Sequence, residues 1–197
     1  MAEALWEVDE LVAAAGGRLE GRPPASFAGV SIDSRSIGRD EVFVALKDVR
    51  DGHDFVASAL QAGAGAAIVS RVDAAMRAKG ALIVVDDPLA ALERIGKAAR
   101  ARSKARIVAV TGSVGKTSTK EALRLALSAS GKTHASAASY NNHWGVPLSL
   151  ARLPRDAAFA VFEIGMNHAG EITPLSKLVS PHPVSYTHLT LPTNREV

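Results

Sequence analysis

A short loop between two apolar segments has the residue types that bind phosphate. In chain order its residues are Thr111, Gly112, Ser113, Val114, Gly115, Lys116 and Thr117. Glycines let backbone amides converge on phosphate oxygens, and the first turn of a following helix adds partial positive charge. Lysine can neutralise the β- and γ-phosphates of a nucleotide, and a threonine hydroxyl can ligate Mg²⁺. The loop therefore predicts ATP binding, with Lys116 as a catalytic cation and Thr117 as a metal ligand.

The spacing of this loop differs from that of the common phosphate loop. The common form has a glycine five residues before Gly115, where this chain has Val110. A glycine-lysine pair also occurs in ordinary strand-to-helix turns with a solvent-exposed lysine. Here, however, residues 107–110 are typical of a buried parallel strand and residues 117–129 of a helix. A strand, this loop and a helix in one frame favour phosphate binding.

Glu163 lies near the carboxyl end of a second predicted strand, over residues 159–164, whose other residues are apolar. Parallel sheets place their ligands just beyond the carboxyl ends of their strands. We therefore predict that Glu163 is a catalytic residue and completes the magnesium shell that Thr117 begins. A rim carboxylate with a structural hydrogen bond is the alternative.

Three other polar clusters are compatible with binding and equally with turns. They comprise Asn141, Asn142 and His143; Ser31, Asp33, Ser34 and Arg35; and Asp51, Gly52, His53 and Asp54. Asparagine amides suit sugar, peptide or phosphate oxygens, but they also suit helix caps. Arginine with serine suits a diphosphate, and a surface ion pair is an equal alternative. We expect His53 and His168 to be solvent-facing loop histidines and not bases or metal ligands.

The elements that must position these residues follow an α/β pattern. Short runs of β-branched residues alternate with amphipathic stretches rich in alanine and leucine. We predict a small N-terminal α/β domain over residues 1–86, a linker helix within 87–104, and a partial phosphate-loop domain with a parallel sheet over 105–183. Predicted helices span 5–15, 55–61, 73–78, 89–102 and 148–153, and predicted strands in the first domain span 29–32, 42–46, 66–69 and 82–85.

The composition narrows the functional classes. The 197 residues are 47% hydrophobic and 22% charged, which suits one compact domain or two small ones. The net charge of +3 comes from dispersed residues, with no basic block for nucleic acid or an anionic membrane. The chain has no cysteine, which excludes disulfides and thiolate metal sites. An acidic N-terminus and the lack of a membrane-length apolar run predict a cytoplasmic protein.

Taken in order, these segments resemble the Mur ligases that build the peptide stem of peptidoglycan, and among them the MurF branch. The resemblance covers about residues 5–183. Its most discriminating parts are the loop continuation Ser118-Thr119-Lys120-Glu121 and the stretch Glu163-Ile164-Gly165-Met166-Asn167. The other matching segments are residues 31–35, 44–46, 51–55, 111–117, 141–142, 145–148 and 170–172.

This resemblance implies a ligase that uses ATP and Mg²⁺ to add D-alanyl-D-alanine to UDP-N-acetylmuramoyl-tripeptide through an acyl phosphate. It implies that the first domain binds the UDP end of the substrate, that the second binds ATP, and that the full-length enzyme is a monomer. The implied substrate contacts are Ser31, Asp33, Ser34, Arg35, Asn142 and Asn167, and Asn142 is also an implied nucleotide contact.

The resemblance ends near Val184. Residues 184–197 concentrate threonine and contain one of the two tyrosines of the chain. They resemble translated sequencing-adapter text, and we expect them not to belong to the natural protein. Family members continue after Pro181-His182 with further strands and a third domain, so we expect this polypeptide to be a fragment without ligase activity of its own.

Alternative functions come from three classes. Sister ligases of the folylpolyglutamate or cyanophycin type share the short phosphate loop, but they lack this kind of first domain. A non-catalytic nucleotide-binding module would use Lys116 to bind phosphate without ligating anything. A purely structural α/β protein would require the loop to be a coincidence.

Overall fold

The fold combines helices with two sheets built mainly from parallel strands. The computed structural model describes residues 4–137, 140–166 and 170–182. Its strands are β1 Trp6–Glu7, β2 Arg18–Glu20, β3 Ser26–Phe27, β4 Gly29–Ser31, β5 Glu41–Val44, β6 Ala66–Val69, β7 Leu82–Val84, β8 Arg106–Val110, β9 Thr133–Ala135 and β10 Phe159–Glu163. Its α-helices are α1 Val8–Ala15, α2 Val56–Gln61, α3 Ala74–Arg77, α4 Pro88–Arg102, α5 Lys116–Ser128, α6 Gly145–Ala151 and α7 Ile172–Val179, and a 3-10 helix spans Gly52–Phe55. The predicted α/β class is confirmed.

The first sheet has five strands in the order β2-β7-β6-β5-β4. All neighbours in it are parallel except β2, which runs antiparallel to β7 at one edge. Every residue of β6 is buried, as expected for a central strand covered on both faces. Apolar clusters lie on either side of the sheet, one around Trp6 and Ile83 and one around Phe43 and Leu82. The carboxyl ends of β4 and β5 point to one edge, where residues 32–35 follow β4.

The N-terminal helix starts later than predicted. Residues 5–15 were expected to be helical, but α1 begins at Val8 because β1 pairs with β3. Backbone groups bonded in a ladder cannot also make helical hydrogen bonds. The side chain of Trp6 has no exposed surface, and its indole nitrogen donates to the Ala151 carbonyl at 2.9 Å. Burial of this large ring outweighs the helical spacing of the apolar residues around it. The predicted end of the helix at Gly16 is confirmed, since Gly16 has a φ of 64°.

Helix α4 connects the two sheets. The Asp87 carboxylate accepts hydrogen bonds from the amides of Leu89 and Ala90, which satisfies amides that the first helical turn leaves free. The helix packs against α1, α6 and α7. At Gly96 a side-chain carbon would lie 3.0 Å from the Pro147 carbonyl oxygen, so glycine allows close contact with α6. The domain limits given above stay predictions.

The second sheet positions the phosphate loop. Its strands lie in the order β8-β10-β9, and both pairs are parallel. Glu163 at the end of β10 lies opposite Val110 at the end of β8, so both strands end at the same level. On the outer side of β8, the His182 amide donates to the Ile107 carbonyl at 2.9 Å, and the Ile107 amide donates to the His182 ring at 2.9 Å.

Several short elements were absent from the sequence prediction, namely β1, β2, β3, β9 and α7. The helix predicted over 148–153 in fact spans Gly145–Ala151. Apart from α1, the other predicted elements have limits within two residues of the observed ones. Among the described helices, none is both long enough and apolar enough to cross a membrane.

Candidate functional site

The predicted phosphate loop connects β8 to α5 as a tight turn with two glycines in left-handed conformations. Gly112 has φ 151° and Gly115 has φ 78°, values that residues with side chains rarely adopt. A side-chain carbon at Gly115 would meet no atom within 4 Å. The loop therefore needs glycine for its backbone conformation, and open space lies in front of it.

Lys116 folds back over this loop. Its ammonium donates a hydrogen bond of 2.8 Å to the Gly112 carbonyl, in an exposed position at the first residue of α5. A phosphate oxygen at the loop could replace that carbonyl as the acceptor without movement of the helix. The geometry is thus compatible with the predicted role of Lys116.

Thr117 and Glu163 meet at the end of the second sheet. The Thr117 hydroxyl donates a hydrogen bond of 2.9 Å to one Glu163 carboxylate oxygen. The other oxygen accepts a bond of 2.7 Å from the Asn141 side-chain amide. Glu163 is only 1% exposed, so both oxygens of a buried carboxylate are satisfied by neutral donors. The two residues predicted to share a metal therefore lie in direct contact.

Of the two adjacent asparagines, Asn141 is the one that contacts this site. The Asn142 side-chain oxygen accepts a bond of 2.8 Å from the Gly145 amide, which is the turn-forming role considered as an alternative. The Asn141 carbonyl accepts from the Gly165 amide at 2.8 Å and so binds the turn to the residues after β10. The prediction had assigned Asn142 and missed Asn141, although both stood in the same cluster.

A cleft of about 390 Å³ lies over the loop. Its lining residues are Ser113, Val114, Gly115, Lys116, Thr117, Ser118, Asn141 and Glu163. Thr111 and Gly112 precede these residues and are exposed. Most of the predicted loop thus faces one cleft together with Glu163.

The Thr117 hydroxyl and the Glu163 carboxylate suit Mg²⁺ better than an ion whose ligands all come from protein side chains. Within residues 4–137, 140–166 and 170–182, no group of three or more histidine, aspartate or glutamate side chains is placed to hold a metal. Mg²⁺ prefers hard oxygen ligands and commonly takes one or two carboxylates, with phosphates and waters completing its shell. The Thr117 hydroxyl and the Glu163 carboxylate fit that pattern.

A second cleft of about 410 Å³ opens at the carboxyl ends of β4 and β5. The predicted residues Asp33, Ser34 and Arg35 line it, together with the cations Lys47 and Arg50. Its apolar walls include Phe43, Phe55, Tyr140 and Trp144. Cations and aromatic rings in one cleft suit a ligand that combines a diphosphate with a planar base.

Ser31 differs from its predicted neighbours. It is 2% exposed and does not line the cleft, and its hydroxyl accepts a hydrogen bond from the Asp33 amide at 3.3 Å. Its observed contacts shape the turn after β4.

Asp33 and Arg35 form the ion pair that was considered as an alternative to anion binding. Two guanidinium nitrogens of Arg35 contact the two carboxylate oxygens of Asp33 at 2.9 and 2.7 Å. The hydrogen bond from the Arg35 side chain, followed by that from its backbone amide, lowers the pKa of Asp33 to about 2. Asp33 is therefore ionised at neutral pH and orients the guanidinium at the edge of the cleft.

His53 is not the solvent-facing loop histidine that was expected. It is 5% exposed, its Nδ1 lies 2.7 Å from an Asp51 carboxylate oxygen, and its Nε2 accepts from the Ser70 amide at 3.0 Å. These bonds join the 3-10 helix to the end of β6, which explains the burial. Asn167 and His168 lie outside the described residues, so their predicted roles stay predictions.

Residues 140–144, just before α6, contribute to both clefts, which the sequence prediction missed. Tyr140 and Trp144 face the cleft of the first sheet, and their rings form an edge-on pair with centroids 5.6 Å apart. Asn141, between them in sequence, faces the phosphate loop. The two clefts therefore share one wall.

Comparison with known proteins gives matches over most of the chain. The family profile "Mur ligase family, catalytic domain" matches residues 26–114, and the profile "Mur ligase middle domain" matches residues 110–191. The second match includes part of residues 184–197, whose natural origin stays an open prediction.

Curated relatives carry the name UDP-N-acetylmuramoyl-tripeptide--D-alanyl-D-alanine ligase. The protein of Rickettsia prowazekii is 40% identical over 153 residues, which are 78% of this chain and 34% of the relative. That of Bacillus subtilis is 37% identical over 162 residues, which are 82% of this chain and 35% of the relative.

Solved structures give the same result. MurF from Acinetobacter baumannii has a TM-score of 0.80 at 35% identity, covering 92% of this chain and 40% of that one. MurF from Thermotoga maritima, solved in complex with ADP, has a TM-score of 0.64 at 30% identity, covering 78% of this chain and 35% of that one. The chain thus spans 34 to 40% of the length of these proteins.

Proposed function

Since the chain belongs to the Mur ligase family, we propose that it is part of an ATP-dependent ligase that joins D-alanyl-D-alanine to UDP-N-acetylmuramoyl-tripeptide. The relatives named above carry this activity in their names. This chain would supply the phosphate loop and the UDP-substrate cleft of such an enzyme, in the cytoplasm where ATP is available. We keep residues 1–86 and 105–183 as the two proposed domains, joined by a linker helix within 87–104.

The contact between Thr117 and Glu163 is the observation that carries this proposal. A hydroxyl at the start of α5 and a buried carboxylate at the end of β10 meet at 2.9 Å, beside a glycine loop with open space in front of it. Parallel sheets bind ligands at this position. An ordinary strand-to-helix turn would not need a buried carboxylate aimed at its helix.

We propose that ATP binds with its phosphates on the loop and that Thr117 and Glu163 hold Mg²⁺. When bound, magnesium would screen the charge of the phosphates. Lys116 would exchange its bond to the Gly112 carbonyl for one to a phosphate oxygen. Asn141 would keep the Glu163 carboxylate oriented through its bond of 2.7 Å.

We propose further that the UDP end of the substrate occupies the cleft beside Arg35. Arg35, Lys47 and Arg50 would contact the diphosphate, and the aromatic walls would contact the base. The Asp33 carboxylate would hold the Arg35 guanidinium in place through its two bonds.

In the proposed reaction, the terminal carboxylate of the tripeptide takes the γ-phosphoryl group of ATP, and ADP is released. The amine of D-alanyl-D-alanine then attacks the acyl carbon, loses a proton, and inorganic phosphate departs. Residues of this chain would hold two anions at reacting distance and offset their repulsion, which is the main protein contribution to phosphoryl transfer.

Calorimetric titration of the 197-residue chain tests the proposal. We expect saturable binding of ADP with Mg²⁺ and, separately, of UDP-N-acetylmuramoyl-tripeptide. Lys116→Met should weaken the first binding and leave the second unchanged. A passive nucleotide-binding module would bind ADP but not the UDP-linked peptide, and that outcome would reject the ligase proposal.

A further inference from the structure

Lys120 is a buried cation on the same helix as the phosphate loop lysine. It is 1% exposed and lies one helical turn after Lys116. Its ammonium donates to the Ser136 carbonyl at 2.8 Å and lies 3.2 Å from a Glu121 carboxylate oxygen. Burying an ammonium is unfavourable compared with burying an apolar side chain of the same size. Packing alone therefore does not explain a buried lysine at this position.

Ser136 links this lysine to the candidate metal ligand. Its carbonyl accepts from Lys120, and its hydroxyl accepts from the Glu163 amide at 3.2 Å. Its own amide donates to the Val161 carbonyl at 3.1 Å, which fixes the end of β9 against β10. Ser136 is itself 2% exposed. Lys120 and Glu163 are thus separated by one buried residue that is bonded to both.

Two side chains on one face of α5 make hydrogen bonds toward the end of β10. Thr117 and Lys120 are three residues apart, so their side chains lie on the same side of α5. Thr117 bonds the Glu163 side chain, and Lys120 bonds the residue that holds the Glu163 backbone. Together these bonds fix the start of α5 relative to the end of β10, and so the relative positions of Thr117 and Glu163, the two side chains that would hold Mg²⁺.

We infer that Lys120 is a positioning residue for the divalent cation, because it holds Ser136 and through it the Glu163 carboxylate at the distance that Thr117 requires. The inference rests on the proposed nucleotide and metal site. Lys120 is not among the residues that line the phosphate loop cleft. Its effect should therefore appear in the metal dependence of binding more than in nucleotide binding itself.

The test uses Lys120→Met, which keeps an unbranched side chain of similar length and removes its charge and donors. ADP affinity is measured by calorimetry on the 197-residue chain, once with Mg²⁺ and once with EDTA. The gain in affinity that Mg²⁺ brings should fall roughly tenfold, within the range for residues that orient metal ligands. Affinity in EDTA should stay close to that of wild type, because the residues of the phosphate loop are unchanged.

Lys97→Met is the matched control, since Lys97 is an exposed lysine on α4 and the charge change is the same. It should keep the wild-type gain from Mg²⁺. A wild-type gain in Lys120→Met would overturn the inference, as would an equal loss of affinity with Mg²⁺ and with EDTA. Either result would mean that Lys120 contributes to packing and not to the position of the metal ligand.

Ser136→Ala serves if Lys120→Met does not fold, as judged by circular dichroism. This change removes the acceptor for the Glu163 amide and only one oxygen atom, and it should also reduce the gain from Mg²⁺. An unchanged gain would overturn the inference. If Mg²⁺ does not increase the ADP affinity of the wild-type chain, both the proposed metal site and the inference are rejected. If Mg²⁺ increases the ADP affinity of wild type and variants equally, only the inference is rejected.

Discussion

The Thr117 hydroxyl donates a hydrogen bond of 2.9 Å to the buried Glu163 carboxylate, although the two residues are 46 positions apart in sequence. The bond joins the first turn of α5 to the last residue of β10. Each side chain alone has an ordinary structural explanation, as a helix residue or as a rim carboxylate. Their contact beside a glycine loop favours a shared ligand.

Replacing Glu163 with glutamine should remove the Mg²⁺ dependence of ADP binding and keep the fold. The glutamine oxygen can accept from Asn141, and its amide can donate to the Thr117 hydroxyl, so every hydrogen bond of the site can be satisfied. Loss of the charged ligand should weaken ADP binding with Mg²⁺ by about tenfold to a hundredfold, as expected for about 1.5–3 kcal/mol. Calorimetry with and without Mg²⁺ measures this effect. Equal Mg²⁺ dependence in wild type and variant would exclude Glu163 as a ligand.

Gly115→Ala should impair both folding and nucleotide binding. At φ 78° an alanine is strained, with a cost of about 1–2 kcal/mol in the free energy of unfolding. The added methyl group would also stand in the open space in front of the loop, and we expect ADP affinity to fall by at least about tenfold, or 1.4 kcal/mol. Urea unfolding and calorimetry measure the two effects separately.

Gly63→Ala is the control for Gly115. Gly63 also has positive φ, at 112°, and a side-chain carbon there would come no nearer than 3.8 Å to another residue. It lies outside both clefts. A similar loss of stability with normal ADP affinity is expected. If both variants bind ADP equally, the space at Gly115 is not a phosphate site.

The sequence was sufficient to predict the phosphate loop because its signals are local. The apolar run of β8, the glycines and the helix of α5 follow each other without interruption, and the observed limits of β8 and α5 lie within one residue of the predicted ones. The register that places Glu163 opposite Val110 was not predicted, because it depends on the pairing of two strands that are distant in sequence.

The features that could not be predicted from the sequence depend on contacts between distant segments. Asn141 and Asn142 have the same side chain, and only the course of the turn decides which one reaches Glu163. The burial of His53 follows from its bond to Ser70, seventeen residues away. Strand β9 has three half-buried residues without an apolar pattern. Its pairing with β10 is therefore a product of tertiary structure.

Asp51 should make the stability of the fold sensitive to acid. Hydrogen bonds from the His53 amide and then the His53 ring lower the pKa of Asp51 to about 2 in the folded chain, against an ordinary value of 3.8. A lowered folded pKa means that this contribution is complete above pH 3.8 and is lost as the pH falls towards 2. Urea unfolding between pH 5 and pH 2 should show a smaller acid loss for Asp51→Asn than for wild type.

Asp54→Asn is the comparison for this prediction. Asp54 contacts the same Arg71 as Asp51, at 3.2 Å, but its carboxylate is 67% exposed and does not bond His53. The acid loss of stability should persist in this variant. Identical pH profiles for wild type and Asp51→Asn would show that the bonds to His53 do not hold the Asp51 charge.

Arg35→Gln should weaken binding of the UDP end of the substrate without unfolding the chain. The guanidinium lines the cleft, is 81% exposed, and bonds only at the surface with Asp33, so its removal should have little effect on stability. A lost charge-assisted hydrogen bond to a diphosphate, worth about 1.5–3 kcal/mol, predicts at least about a tenfold loss in UDP affinity. Arg39 offers a matched control, because it is 91% exposed, lies outside the cleft and also neighbours an aspartate, Asp40. Arg39→Gln should bind UDP normally; equal UDP affinity for the two variants would mean that the Arg35 guanidinium serves Asp33 alone.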